Sequence, residues 1–270
     1  MKEVEKASAE KIPTVLAIDT SADDSSVAIR RGEKCLAALA VGEIHHHSHS
    51  LFEHLALVLR LSNLSIEEVD VFAAVSGPGS FTGLRVGLSA LNGIAGTLGR
   101  SVVGVTAFDA LAASVKVKGN IAAMIDAGRG EVYLGLRRME PDGVIAAIGR
   151  DMSAPVSAAL ELCRDQLEVE ARRLFLVGSG AVRYAQQISR IAEEGGVESR
   201  RLDAIDPDFT GWSILERTGF LAGSVAEVAQ VAQEAARRLP LAQTPALHAY
   251  YLKPSDAEVK WNERSIRESK

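Results

Sequence analysis

Residues 16–31 read LAIDTSADDSSVAIRR, and residues 123–138 read AMIDAGRGEVYLGLRR. Set one above the other without a gap, at an offset of 107 positions, Ile18 falls on Ile125, Asp19 on Asp126, Arg30 on Arg137 and Arg31 on Arg138. Each copy has the pattern of a strand, an Asp, a tight polar turn and a returning strand. A second echo follows in each half: Val75-Ser76-Gly77-Pro78-Gly79 and Leu176-Val177-Gly178-Ser179-Gly180. Each is an apolar strand ending in Gly-x-Gly ahead of a helix. A repeat of this length implies a duplicated domain. Antiparallel strands followed by βα units in each half predict mixed sheets covered by helices. The expected architecture is a two-lobed α/β protein with an Asp-bearing turn from each lobe facing a shared cleft.

The rest of the chain fits around this repeat. Residues 1–12, rich in Lys and Glu, read as a disordered extension. Residues 13–118 form the first lobe, 119–253 the second, and the polar stretch 254–270 a tail. In the first lobe, strands are expected at 13–18, 25–30, 34–41, 71–75 and 102–105, with helices at 48–61, 80–98 and 107–115. Ser65 followed by Glu68 reads as a capping box opening a short turn. In the second, strands are expected at 121–126, 132–138, 143–149, 173–177 and 197–203. Helices are expected near 154–165, 180–193 and 219–238, the last ended by Pro240.

Composition bounds the function. The 270 residues are 47% hydrophobic and 24% charged, as in an ordinary globular protein. A net charge of −5 argues against a broad basic surface that binds nucleic acid unaided, though not against acting beside a partner that holds it. Cys35 and Cys163 share no metal-ligand spacing and suit a reduced cytosol. No apolar run reaches the roughly 18–20 residues of a membrane span. The charged N-terminus lacks a signal core. The expectation is a cytoplasmic protein with no membrane contact.

Asp19-Thr20-Ser21 sits where a strand turns. A carboxylate and two hydroxyls there can hold a hydrated metal or line a phosphate pocket. They can equally close the hairpin as an Asx or Ser/Thr turn. The matching turn at Asp126, with Gly178 and Gly180 opposite, favours a real or vestigial nucleotide cleft. SGPGSFTGLRVG, residues 76–87, is the densest motif. No Gly-Lys-Ser/Thr follows, so it is not a P-loop. It makes a sharp strand-to-helix turn with Ser80 as N-cap. The helix then carries Gly83, Gly87, Ala90, Gly93 and Gly96. Each glycine costs about 1 kcal/mol relative to alanine inside a helix, so close approach of another element must offset it. That element is either the chain's own sheet or a partner subunit, and the residues alone leave both open. His45-His46-His47-Ser48-His49 invites a metal reading, but without a second ligand cluster it reads as the polar entry to the helix capped by Ser48. Arg85 can reach a phosphate or a partner's carboxylate. No Ser–His–Asp constellation can be assigned.

Six stretches, LAIDTS, HSHSLFEHL, SGPGSFTGLRVGLSALNGIA, VTAFDALA, IDAGRGEVY and AYYLKPSDAE, occur in the order found in the TsaB (YeaZ) family, which the chain resembles from about residue 13 to 258. The resemblance implies a duplicated actin-like, sugar-kinase and heat-shock-ATPase (ASKHA, ribonuclease H-like) fold. It implies a part in making N6-threonylcarbamoyladenosine at position 37 of tRNA, as a subunit without transfer chemistry of its own. The implied partners are a TsaD-like catalytic paralogue, a TsaE-like ATPase and, in isolation, a second copy; tRNA would be met only through the complex. Family members dimerise through first-lobe helices, which maps here onto 48–61 and 80–98. That places Ser48, Leu51 and Leu55 on one side of the interface. On the other it places Gly79, Phe81, Thr82, Gly83, Arg85, Gly87, Ala90 and Leu91. No catalytic residue and no metal ligand is expected. The one cofactor candidate is ATP or ADP at the interface with the partner. The family often has a basic residue where this chain has Gly128. The full nucleotide-binding set is not recognisable, which favours a degenerate cleft. The alternative is a small-molecule kinase or ATPase of the same superfamily, with Asp19 and Asp126 organising Mg²⁺–ATP.

Overall fold

A computed structural model describes residues 12–22, 24–42, 47–140, 143–167, 173–203, 205–206, 209–216, 221–237 and 247–253; the side chains of 47–49 and 232–237 lie outside the description. Two sheets account for the repeat. The first has β1 (Thr14–Asp19), β2 (Ser25–Arg31), β3 (Lys34–Val41), β4 (Val71–Gly77) and β5 (Ser101–Thr106), in the order β3-β2-β1-β4-β5. The second has β6 (Gly119–Asp126), β7 (Glu131–Met139), β8 (Ile145–Ala147), β10 (Leu174–Val177) and β12 (Trp212–Leu215), in the order β12-β10-β6-β7-β8. This is the first order reversed in writing and identical in topology: an antiparallel meander of three strands, then two parallel strands added on its far side. The second sheet gains β11 (Ser199–Leu202) at its edge, and β9 (Met152–Pro155) pairs with β7. The expected two-lobed α/β architecture is present.

The gapless alignment of the two copies fails by one residue across the hairpin. In the first lobe Asp19 stands opposite Ser26 and Val15 opposite Arg30. In the second, Asp126 stands opposite Val132 and Ala122 opposite Leu136. A one-residue slip reverses the face of every side chain on a strand. The second strands keep the offset: Arg30 reaches Glu227 and Arg137 reaches Asp109, both in the helical layer between the sheets. The first strands slip, since Leu16 and Ile18 share the outer face that Ala122 and Met124 take in the second lobe.

The helices are α1 (His47–Ser62), α2 (Phe81–Leu98), α3 (Ala107–Val115), α4 (Val156–Leu167), α5 (Ser179–Arg183), α6 (Ala185–Glu194) and α7 (Leu221–Arg237). Ser80 caps α2, its Oγ accepting from the Gly83 amide at 3.3 Å. Gly99 ends α2 in the left-handed conformation at φ +62°, where glycine has no Cβ penalty. Ser65 donates its amide to Glu68 at 2.8 Å ahead of a single 3-10 turn, Ile66–Glu68. The helix expected over 180–193 divides at Tyr184, whose φ of −104° and ψ of 19° separate α5 from α6.

Layers follow from the burial. Leu51, Leu55 and Val58 of α1 and Leu88, Leu91 and Ala95 of α2 cover one face of the first sheet. Val225, Ala226 and Ala229 of α7 cover its other face. Phe108, Leu111, Ala112 and Val115 of α3 lie on the second sheet against Ile121, Ala123 and Phe175. The remaining face of that sheet is covered by α4 and α6 through Leu160, Cys163 and Ile188. So α3 and α7 form the layer between the sheets and pack on each other. Each covers the sheet of the opposite half of the sequence, which a division at residue 118 does not capture. Arg137, 2% exposed, ties this layer together. It meets Asp109 of α3 at 2.5 Å and grips Asp151 with two bonds of 2.7 and 3.1 Å. Burial alone would lower its pKa; the hydrogen bonds and charges of Asp151 and Asp109 more than offset this and hold it above the ordinary arginine value.

No helix among the described residues is long and apolar enough to cross a membrane. All of the expected extension 1–12 but Ile12, the first histidines of the His45–His49 run, Pro240 and the tail at 254–270 lie outside the described residues.

Candidate functional site

Two features stand out: the cleft between the lobes and the outer face of α1 and α2.

The cleft holds about 850 Å³. Of the six residues expected there, Asp19, Ser21, Asp126 and Gly178 line it, whereas Thr20 and Gly180 do not. Thr20 turns away and donates its hydroxyl to the Gly83 carbonyl at 2.8 Å. Asp19, 4% exposed, accepts from the Ser21 amide at 2.8 Å and the Ser21 hydroxyl at 2.6 Å through one oxygen. Asp126 accepts from the Gly128 amide at 3.1 Å. Both are Asx turns, the residue i carboxylate bonding the amide at i+2 and closing the hairpin. Asp126 is further engaged by the Tyr184 hydroxyl at 3.1 Å and by Arg183 at 2.8 Å. Gly178 and Gly180 serve close packing. A Cβ at Gly178 would lie 2.4 Å from the Met124 carbonyl oxygen, and one at Gly180 would lie 2.9 Å from Val132.

These residues do not fit a magnesium-bound nucleotide. The described lining carries four carboxylates, Asp19, Asp24, Asp126 and Glu216, against one cation, Arg183. That balance repels a triphosphate, and the cation is already spent on Asp126. The Asp126 oxygens that would face hydrated Mg²⁺ are held by the chain's own donors. Arg183, Tyr184 and Glu216 were not anticipated from sequence. The signal available for Arg183 was a cation one helical turn beyond the Gly178 turn.

The α1–α2 face resolves the question of the glycines. A Cβ at Gly83 would lie 1.9 Å from the Thr20 carbonyl oxygen, one at Gly79 would lie 2.3 Å from that of Ser21, and one at Gly87 would lie 2.4 Å from Thr20 Oγ1. These three let α2 settle on the end of β1, so for them the chain's own sheet is the close neighbour. A Cβ at Gly93 or Gly96 would meet nothing within 4 Å among the described residues. They lie on the exposed face of the helix. Of the expected interface residues, Leu51, Leu55, Gly83, Gly87 and Leu91 are buried in the first lobe's own core. Thr82 and Arg85 are exposed, while Gly79, Phe81 and Ala90 are half-buried. Arg85 lies over the Phe81 ring, 3.8 Å from its centre. The side chain of Ser48 lies outside the described residues; the residue itself is within α1, not ahead of it. The outward face missed from sequence includes Phe52, 56% exposed, and Leu61, 61% exposed. Their signal was an apolar residue falling off the 51-55-58 stripe.

No group of three His, Cys, Asp or Glu side chains converges as metal ligands among the described residues. His45 and His46, and the side chains of His47 and His49, lie outside them.

A family model described as TsaD, tRNA N6-adenosine threonylcarbamoyltransferase, matches residues 43–206. The chain is 30% identical over 184 residues to the tRNA threonylcarbamoyladenosine biosynthesis protein TsaB of Haemophilus influenzae, a match covering 64% of this chain and 75% of that one. It is 27% identical over 154 residues to the protein of the same description from Bacillus subtilis, covering 57% of this chain and 67% of that one. In structure it resembles YeaZ from Pseudomonas aeruginosa with a TM-score of 0.65 at 23% identity, covering 89% of this chain and all of that one. At that identity the structural likeness speaks to the fold.

Proposed function

This chain belongs to the TsaB (YeaZ) family of tRNA threonylcarbamoyladenosine biosynthesis proteins, and from that membership we propose that it is a non-catalytic subunit of the complex that places the threonylcarbamoyl group on adenosine 37 of tRNA. Its work is binding. The outer faces of α1 and α2 dock on a TsaD-type catalytic subunit and stabilise that subunit's active arrangement.

The observation that carries this reading is the pair Gly93 and Gly96. In a helix interior each costs about 1 kcal/mol relative to alanine. Unlike Gly83 and Gly87, neither is repaid by a contact among the described residues. Small exposed residues on a helix whose neighbour presents Phe52 and Leu61 fit a second helix pair approaching closely. The same face would serve a homodimer in the absence of the partner. A TsaE-like ATPase joins the pair in this scheme, and any ATP or ADP lies at the boundary with a partner, since the chain's own cleft is acidic and internally satisfied. The kinase alternative loses support for the same reason.

The test is the mass of the chain, alone and mixed with the TsaD-like protein of the same organism, by light scattering. A heterodimer replacing each separate species is expected. Gly93→Leu should prevent it while leaving the melting profile of the isolated chain intact. Unmixed species with tRNA and nucleotide present would refute the proposal.

A further inference from the structure

Residues 247–253, which include the described part of the AYYLKPSDAE stretch, do not line the cleft but are anchored at several points. At the first-lobe end, Leu247 and Asn92 of α2 exchange two hydrogen bonds. The Leu247 amide donates to Asn92 Oδ1 at 3.0 Å, and Asn92 Nδ2 donates to the Leu247 carbonyl at 3.1 Å. The Tyr250 amide donates to the Ser76 carbonyl at the end of β4, at 2.7 Å. Tyr251 lies on Phe81 of α2 with ring centres 5.1 Å apart. At the other end the chain holds the second lobe. The Tyr250 hydroxyl donates to Asp151 at 3.3 Å. Lys253 pairs with Glu131 and lies 5.7 Å from the Tyr133 ring centre.

Two glycines make room for this segment. A Cβ at Gly77 would come within 2.3 Å of the Tyr250 carbonyl oxygen, and one at Gly104 within 2.9 Å of the Leu247 side chain. Gly77 also sits at φ +128°, a conformation other residues rarely adopt. So the first lobe carries a channel shaped for the strap. The strap presses on the turn at 76–81, and that turn in turn donates from Ser80 to the Ser21 carbonyl, at 2.6 Å, on the cleft wall.

We propose that residues 247–253 are a clasp between the lobes. It sets the angle of the two sheets across the cleft and, by holding the first turn of α2, couples that angle to docking on the α1–α2 face. The coupling rests on the partner-binding reading above; the clasp itself does not. Seven extended residues reach over 20 Å, enough to bridge two lobes without a helix or strand of their own. When the strap is seated, the 76–81 turn is fixed from both sides, by Ser21 and by Tyr250. When it is released, the turn loses the Tyr250 contact and keeps those to Ser21 and Val105, and the lobes lose a link that bypasses the helical layer between them.

The experiment measures the distance between spin labels on Cys35, which is exposed in the first lobe, and on Glu193→Cys, exposed in the second. Buried Cys163, its thiol pushed up to about 12 by desolvation, takes no label. Two full-length variants release opposite ends: Asn92→Ala/Gly104→Leu frees the first-lobe end, and Tyr250→Phe/Lys253→Ala frees the second. The second pair alters only part-exposed side chains and keeps the fold. Both are expected to broaden the distance distribution and lengthen its mean, and both to weaken binding of the TsaD-like protein by about tenfold, a usual size for coupling between sites. An unchanged distribution in the Tyr250→Phe/Lys253→Ala chain overturns the clasp. A broadened distribution with unchanged affinity overturns the coupling. Should the unaltered chain fail to bind the TsaD-like protein, the proposed function fails, while the distances still decide the clasp.

Discussion

Arg137 shows how much can rest on one side chain. It is buried, and its guanidinium is satisfied by Asp109, Asp151 and the Leu136 carbonyl. Removing one member of such a network leaves its partners as uncompensated charges. Arg137→Met should lower unfolding stability by about 3 kcal/mol, read from urea denaturation, the low end of the usual range because Asp109 keeps some solvent contact. A folded pKa raised above the ordinary arginine value contributes stability that is complete below that ordinary value and is lost only as pH rises through the folded one. The arginine's own titration therefore adds no pH dependence near neutrality, and urea midpoints should not vary with pH on its account. At Asp126, the partners are Arg183, Tyr184 and Gly128, all from this chain. Asp126→Asn should leave tRNA modification by the reconstituted complex within about twofold of wild type; a loss of tenfold or more, a full 1.4 kcal/mol in the barrier, would restore the cleft as a working nucleotide site.

At the scale of an element, α2 divides its glycines by face. Gly83→Ala drives a Cβ into the backbone of Thr20 and should destabilise the isolated chain by about 3 kcal/mol, the upper range of overpacking. Gly93→Ala and Gly96→Ala meet open space and should each stabilise it by about 0.5–1 kcal/mol through helix propensity, while weakening the complex with the catalytic subunit. Opposite signs in the two assays would mark the outer face. Sequence periodicity revealed α1, α2, α3 and the meander strands because each has a full stripe or alternation. It could not separate the faces of α2, because a glycine carries no side chain to show which way it points. It missed β9 and β12, each only four residues long. It joined α5 to α6 because no glycine or proline marks the break at Tyr184. It misaligned the first strands by one residue because their shared Ile-Asp pair matches in sequence while the inward and outward faces do not. The cleft was legible as a place; its occupation by Arg183 depends on a contact 57 residues apart.

For the molecule as a whole, the decisive arrangement is the exchange of α3 and α7. Each half of the sequence builds its own sheet but borrows a covering helix from the other half. Residues 1–118 expressed alone should therefore remain unfolded or aggregate, with Val15, Ala17, Ala73 and Val105 uncovered. Mixing with residues 119–270 should recover native circular dichroism. Independent folding of the first fragment would contradict the layering. The same exchange governs the order of events at the ribosome. Every strand of the first sheet has emerged by residue 106, yet the helix that seals it, α7, begins only at Leu221. During all that intervening synthesis the nascent chain displays an apolar sheet face that only this distant helix can hide. The chain is thus a natural client for chaperones that shield growing polypeptides, and a premature stop anywhere before α7 forfeits both lobes, not only the second.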